Sequence, residues 1–304
     1  MPSTGALLCL ASAAAFGAMG IFGKLAYDNG ATVSTLLAVR FALAAVLFWL
    51  FMAYSRRARA LRALPRRDVA IALALGGIGY SAQAGAYFAA LDRIDASLLA
   101  LLVYTYPTIV TVAAIALGRE RANSRTAAAL MLASTGLVLV LAGAGGAELD
   151  PIGTGLGLAA AVVYSVYILT SEGVAARIGT LALSTLVCTG AATTLTLAGL
   201  ALGDLNLGSV NAAGLGWLAG LAVVSTVGAI GLFFAGLQRV GSTAASILST
   251  LEPVVTVALA YLVFGESLGT APLAGGALVL IAVLVVRVPG HVQPRNYRTE
   301  TADA

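Results

Sequence analysis

Apolar stretches of about twenty residues follow one another through most of this 304-residue chain. Each is long enough to cross about 30 Å of hydrocarbon. Lipid offers no partners to unpaired backbone groups, so such stretches must be helices rather than isolated strands. Marking the runs between polar breaks gives ten spans, at 6–27, 32–54, 69–91, 96–117, 125–143, 152–171, 180–202, 212–236, 242–264 and 271–288. Only 10% of residues are charged and 60% are hydrophobic, with a mean hydropathy of +0.98. Soluble chains carry roughly 25% charged residues. The 35 glycines, many inside the runs, suit closely packed membrane helices.

The spans take their direction from the basic residues. With the N-terminus inside, the inner loops and tail hold 14 of the 17 Lys and Arg residues. Six of these crowd the loop Ser55–Asp68, and the others include Arg119, Arg121, Arg125, Arg177 and Arg239. The outer loops hold only Arg93 beside Asp28, Asp92, Asp95, Glu148, Asp150 and Asp204. The asymmetry puts both termini in the cytoplasm and the chain in the cytoplasmic (inner) membrane, with the lipid bilayer as its surroundings. The first run lacks a basic n-region and is too long for a signal peptide, so it reads as a retained helix. There is no basic soluble face for nucleic acid. Cys9 and Cys188 lie in apolar runs and His291 lies in the polar tail, which leaves no metal site and implies no cofactor.

A second feature is written twice. Tyr106-Pro107 through Glu120 returns as Glu252-Pro253 through Glu266, displaced by 146 positions, with proline 13 residues before glutamate each time. The same offset pairs Arg93 with Arg239, Leu102 with Leu248 and Val140 with Val286. The chain therefore divides into residues 1–146 and 147–289, with a cytoplasmic polar tail at 290–304. Each half carries five spans. Five is odd, so the second half enters the bilayer upside down, as in transporters whose substrate sites lie at midplane between inverted repeats.

The segments Arg40-Phe41, Leu102 to Pro107 with Gly118-Arg-Glu120, and Leu251 to Val254 with Phe264-Gly-Glu266 resemble the EamA-type branch of the drug/metabolite transporter superfamily. The resemblance covers nearly the whole chain as two successive repeats. It implies ten helices, a central cavity, and export or facilitated passage of amino acids and related small metabolites. One departure is that Gly118-Arg119-Glu120 becomes Phe264-Gly265-Glu266, the glycine having moved by one place.

Ionisable groups inside a membrane cost about 2.5–3.5 kcal/mol each, so each needs an explanation. Glu252 lies about 15 Å into its span, near midplane. It is the expected coupling group or a contact for a substrate ammonium; a structural ion pair with Arg40, or a capped interhelical contact, is the alternative. Arg40 has Leu186 as its repeat counterpart, so symmetry does not demand it; the resemblance, which places this Arg-Phe pair widely across the family, implies a structural role, with substrate carboxylate binding as the other reading. Lys24 either snorkels to the interface or lines a cavity. Gly76, Tyr80, Gln83 and Tyr87, spaced 4, 3 and 4, share one helical face. Tyr104 with Thr108 and Thr111, and Tyr164 with Tyr167 and Ser171, form similar stripes, and Ser242, Ser246, Ser249, Glu252 and Thr256 form another. The expected substrate-binding residues are thus Lys24, Tyr80, Gln83, Tyr87, Tyr104, Tyr164 and Glu252. Arg40, Pro107, Pro253, Glu120 and Glu266 are the expected structural or hinge residues. The prolines either flex the helices or fix a static kink.

The function expected is a secondary transporter of small solutes, exporting by alternating access. Uptake of sugars, nucleosides or other metabolites, and a non-transporting scaffold or receptor, stand beside it. No catalytic pair or Walker loop is present, so neither an enzyme nor an ATP-driven pump is expected. The oligomeric state is open, a monomer included.

Overall fold

The computed structural model describes residues 3–55, 63–91, 93–94, 99, 102–141, 150–264 and 270–285. Every element among them is a helix. Six are long and apolar enough to cross a membrane: α1 (Thr4–Tyr27), α2 (Val33–Tyr54), α3 (Arg66–Tyr87, continuing to Leu91), α6 (Pro151–Ile178), α7 (Thr180–Leu202) and α8 (Ala212–Leu248). Four apolar helices are shorter: α4 (Tyr106–Ala116), α5 (Ser124–Leu141), α9 (Leu251–Phe264) and α10 (Thr270–Val285). Glu266, His291, four of the arginines in the Ser55–Asp68 loop and the 290–304 tail lie outside the described residues.

Side-chain caps mark where helices start. Ser3, Thr32, Asn123, Asp150 and Asn211 each accept a backbone N–H three residues on, at 2.6 to 3.2 Å. Glycines with positive φ close α6 at Gly179 (83°) and α7 at Gly203 (70°), where a side chain would be strained. Large apolar side chains such as Leu50, Phe51 and Leu284 stand exposed on the outside, where lipid rather than water suits them.

Glycine lets backbones meet. A methyl group on Gly76 of α3 would collide with the carbonyl of Val187 on α7, and one on Gly190 with that of Leu73. On α5, a methyl at Gly136 would lie 2.7 Å from the Gly275 carbonyl oxygen of α10. These close approaches are how helices associate where lipid removes the hydrophobic drive.

Several helices are interrupted. α1 stops at Gly17 and resumes at Met19. α3 and α8 contain π segments at Leu75–Tyr80 and Val223–Gly228, each with a hydroxyl bonding five residues back: Ser81 to Gly76 O at 3.4 Å, and Thr226 to Leu221 O at 3.1 Å. The boundary expected between spans 212–236 and 242–264 falls at Gly241, whose φ of 81° and ψ of 169° are not helical: α8 is two helical stretches meeting at a kink there, the second ending at Leu248.

Candidate functional site

The interruption at Ala18 separates two sets of contacts along α1. Before it, α1 presses on α8: a methyl group on Gly236 would sit 3.0 Å from the Cys9 amide nitrogen, and Ser12 Oγ donates to Ala229 O at 2.8 Å. Cys9, Phe234 and Leu237 are wholly buried at this end. After the interruption the chain leaves that contact and lies against Ala212–Ala222 and α9. A cavity of about 450 Å³ opens beside it. Its walls come from the C-terminal half of α1, the N-terminal half of α2, the later part of α3, and the middles of α6 and α8.

Two more breaks bound the cavity. Residues 104–105 form a turn before α4, and residues 249–250 a turn before α9. Each helix therefore starts with its proline in the first turn, where the missing N–H costs nothing. Thr105 Oγ1 donates to Leu102 O, and Thr250 Oγ1 to Ile247 O, both at 2.6 Å, adding to the bonds that the backbone N–H groups of the same threonines make there. Sequence left the prolines as flexing points or static kinks; here each stands at an outright discontinuity.

All seven residues that sequence selected for substrate contact line this cavity: Lys24, Tyr80, Gln83, Tyr87, Tyr104, Tyr164 and Glu252. Tyrosine dominates its wall. The ring of Tyr106 packs edge-on against Tyr164 with centroids 4.7 Å apart, Tyr164 stacks on Tyr167 at 6.0 Å, and Tyr167 meets Tyr80 at 6.5 Å. Lys24 sets its ammonium 4.1 Å from the centre of the Phe264 ring. Glu252 is partly exposed to the cavity, with the Tyr104 phenol as its neighbour.

Arg40, grouped with the structural residues from sequence, also lines the cavity, at 3% exposure. Its Nη1 donates to Met19 Sδ at 3.0 Å and its Nη2 to the Tyr80 hydroxyl at 3.2 Å, while Nε has no partner. No ion pair joins it to Glu252, so that alternative from sequence does not form. Tyr106, Tyr167, Phe16 and Phe233 join the wall although sequence did not select them. The Tyr164–Tyr167 stripe held the signal for one of them.

Other stripe members go elsewhere. Gly76 faces α7, because the π segment Leu75–Tyr80 that contains it adds a residue and swings it off the Tyr80 face. Ser246 and Ser249 turn back to Thr243 O and Ala245 O, and Thr111 to Pro107 O. Thr256 donates to Gly17 O at 3.0 Å, tying α9 to the break in α1.

The end opposite the cavity is closed by charge. Arg119 donates to Leu169 O at 2.8 Å and lies 3.5 Å from Glu172, which accepts from the Ser242 amide at 3.2 Å just past the Gly241 bend. Arg177 pairs with Asp68 at 2.9 Å. Glu120 does not pair with its neighbour Arg119; its carboxylate lies beside the Gly241 kink, close to Thr243. Burial pushes its carboxyl above the usual range, the nearby Thr243 groups oppose that, and Glu172 adds to it.

Comparison with known proteins places this geometry in context. The EamA-like transporter family matches the chain twice, at residues 3–142 and 151–288. A protein of Archaeoglobus fulgidus named an uncharacterized transporter is 30% identical over 207 residues, 66% of this chain and 70% of its own length. The uncharacterized transporter YcbK of Bacillus subtilis is 27% identical over 283 residues, 88% of this chain and 87% of its own. A solved structure, titled only as the crystal structure of a protein, superposes with a TM-score of 0.81 at 21% identity, covering 94% of this chain and 96% of that one. This last likeness concerns the fold alone.

Proposed function

This multi-pass membrane protein belongs to the EamA-like transporter family, and from that premise we propose that it exports amino acids or related small metabolites across the cytoplasmic membrane by alternating access. It does so as ten spans in two inverted halves, 1–146 and 147–289, with both termini in the cytoplasm. One observation carries the reading: a carboxylate, Glu252, faces a tyrosine-walled cavity at a helix break, where a small polar solute can be held within the bilayer.

By the charge asymmetry, the loop after α1 is external. The cavity then lies in the outer half of the bundle, and the closed end with Arg119, Glu172, Arg177 and Asp68 is cytoplasmic. On this orientation the charged end is the cytoplasmic seal. Transport requires the inner contacts to part while the outer walls close, exchanging which end is open. Glu252 is the coupling group, taking up a proton on one side and releasing it on the other.

The test is flux in proteoliposomes loaded with radiolabelled amino acids, under an imposed pH gradient. Wild-type protein should move at least one amino acid and respond to the gradient. Glu252→Gln should lose the gradient response. If no amino acid moves while a sugar or nucleoside does, the substrate class is wrong; if Glu252→Gln keeps the gradient response, coupling does not run through this carboxylate.

A further inference from the structure

Arg40 is the least explained group in the molecule. It is a permanent cation at 3% exposure in the cavity wall, and no carboxylate among the described residues pairs with it. Its two terminal nitrogens meet a thioether sulfur and a phenol, both neutral, and its Nε hydrogen meets nothing. The guanidinium plane is steadied from one side by the Phe41 ring, 4.7 Å away. Glu252, on the same cavity, feels the Arg40 charge but makes no ion pair with it, and a buried charge without direct pairing is strongly unfavourable unless an anion comes into contact with it. The repeat counterpart is Leu186, so the second half supplies no equivalent.

We propose that Arg40 is the anchor for a carboxylate on the transported solute, holding it at the α2 side of the cavity. The inference rests on the reading of this cavity as the solute site. A carboxylate arriving from the cavity would take the remaining hydrogens of the two terminal nitrogens, the forked pairing that guanidinium offers and ammonium does not, and would reach Nε, sealed from solvent here, once the wall around it shifts. Tyr80 is the positioning residue: its hydroxyl holds Nη2, and its ring packs edge-on against Phe41 at 4.7 Å. Solutes with a carboxylate are therefore chosen over otherwise identical solutes without one.

The experiment measures binding to the purified full-length protein of three matched compounds: an aromatic amino acid, its amide, and the amine left by removing the carboxyl group. In wild type the acid should bind about ten- to a hundredfold tighter than the amide or the amine, the usual worth of hydrogen bonds to a charged group. Arg40→Gln should bring the acid down to the amide's affinity and leave the amide unchanged. Arg40→Lys, which keeps the charge, should retain only part of the preference, and this separates lost pairing from lost folding. A merely structural arginine would weaken acid and amide alike, or leave the preference intact, and either result overturns the proposal. Equal binding of acid and amide by wild type also overturns it, while the solute site itself would stand. If none of the three binds, the reading of the cavity as an amino-acid site fails, and the anchor fails with it.

Discussion

At matching places in the repeat, α4 begins with Tyr106-Pro107 and α9 with Leu251, Glu252 and Pro253, and both helices start at a break. The surroundings differ. Tyr106 is 2% exposed, packs its ring on Tyr164, and directs its hydroxyl at Ser246 O, 3.4 Å away. Glu252 keeps its carboxylate on the cavity, and its helix is tied to a third break, in α1, through Thr256. Nothing matches that third break in α6, which runs unbroken from Pro151 to Ile178. The repeat thus supplies a pair of discontinuous helices, one presenting a buried phenol to the cavity wall and the other a carboxylate.

Exchanging the two side chains' chemistry should break the comparison most visibly. Glu252→Gln is expected to lower flux about ten- to a hundredfold, the scale of a lost charged contact, whereas Tyr106→Phe should leave flux within about threefold of wild type. Equal losses would mean that the breaks are functionally alike. Next in size is Gly17→Ala. Its methyl would lie 2.8 Å from the Glu252 carbonyl oxygen and must push α9 away, lowering stability by about 1–3 kcal/mol in detergent melts. Gly20→Ala, whose methyl would meet Thr256 Cγ2 at an ordinary 3.6 Å, is the matched control and should melt like wild type. Thr256→Val, which deletes the hydroxyl held by Gly17 O, should cost about 1 kcal/mol.

The smallest effect concerns the closed end. Because Glu120 has a raised pKa in the folded protein, folding favours its protonated form. Its contribution to stability is fully present below its ordinary value of 4.5 and is lost as pH rises through the raised value. A pH series of melting temperatures should show this slope in wild type and lack it in Glu120→Gln. A slope that survives the substitution would assign it to another group.

Much of this was legible in the chain. Apolar runs located the helices, and the 4-3 spacing of Tyr80, Gln83 and Tyr87 placed three cavity residues on one face, because period alone decides that. Gly76 escaped, since a π turn changes the period locally and leaves no clear mark in an Ala/Gly-rich run. The break at Ala18 was also illegible: it lies in Phe-Gly-Ala-Met-Gly, with no proline, and depends on contacts with α8 and α9 that lie more than 200 positions away. Arg40 was read from its family-wide pattern as structural. Its exposure to the cavity depends on which way α2 turns, and an apolar helix with no polar face gives no sign of that.

If one cavity opens alternately to the two sides, labelling from each side will reveal it. With the buried Cys9 and Cys188 replaced by alanine, single cysteines at Tyr87, on the cavity, and at Ser249, beside the α9 break, would be probed with a membrane-impermeant thiol reagent. The account predicts that Tyr87→Cys reacts from outside and Ser249→Cys from inside, and that a transported solute shifts the two reactivities in opposite directions. Reaction of both from the same side, or both rising together with solute, would contradict it.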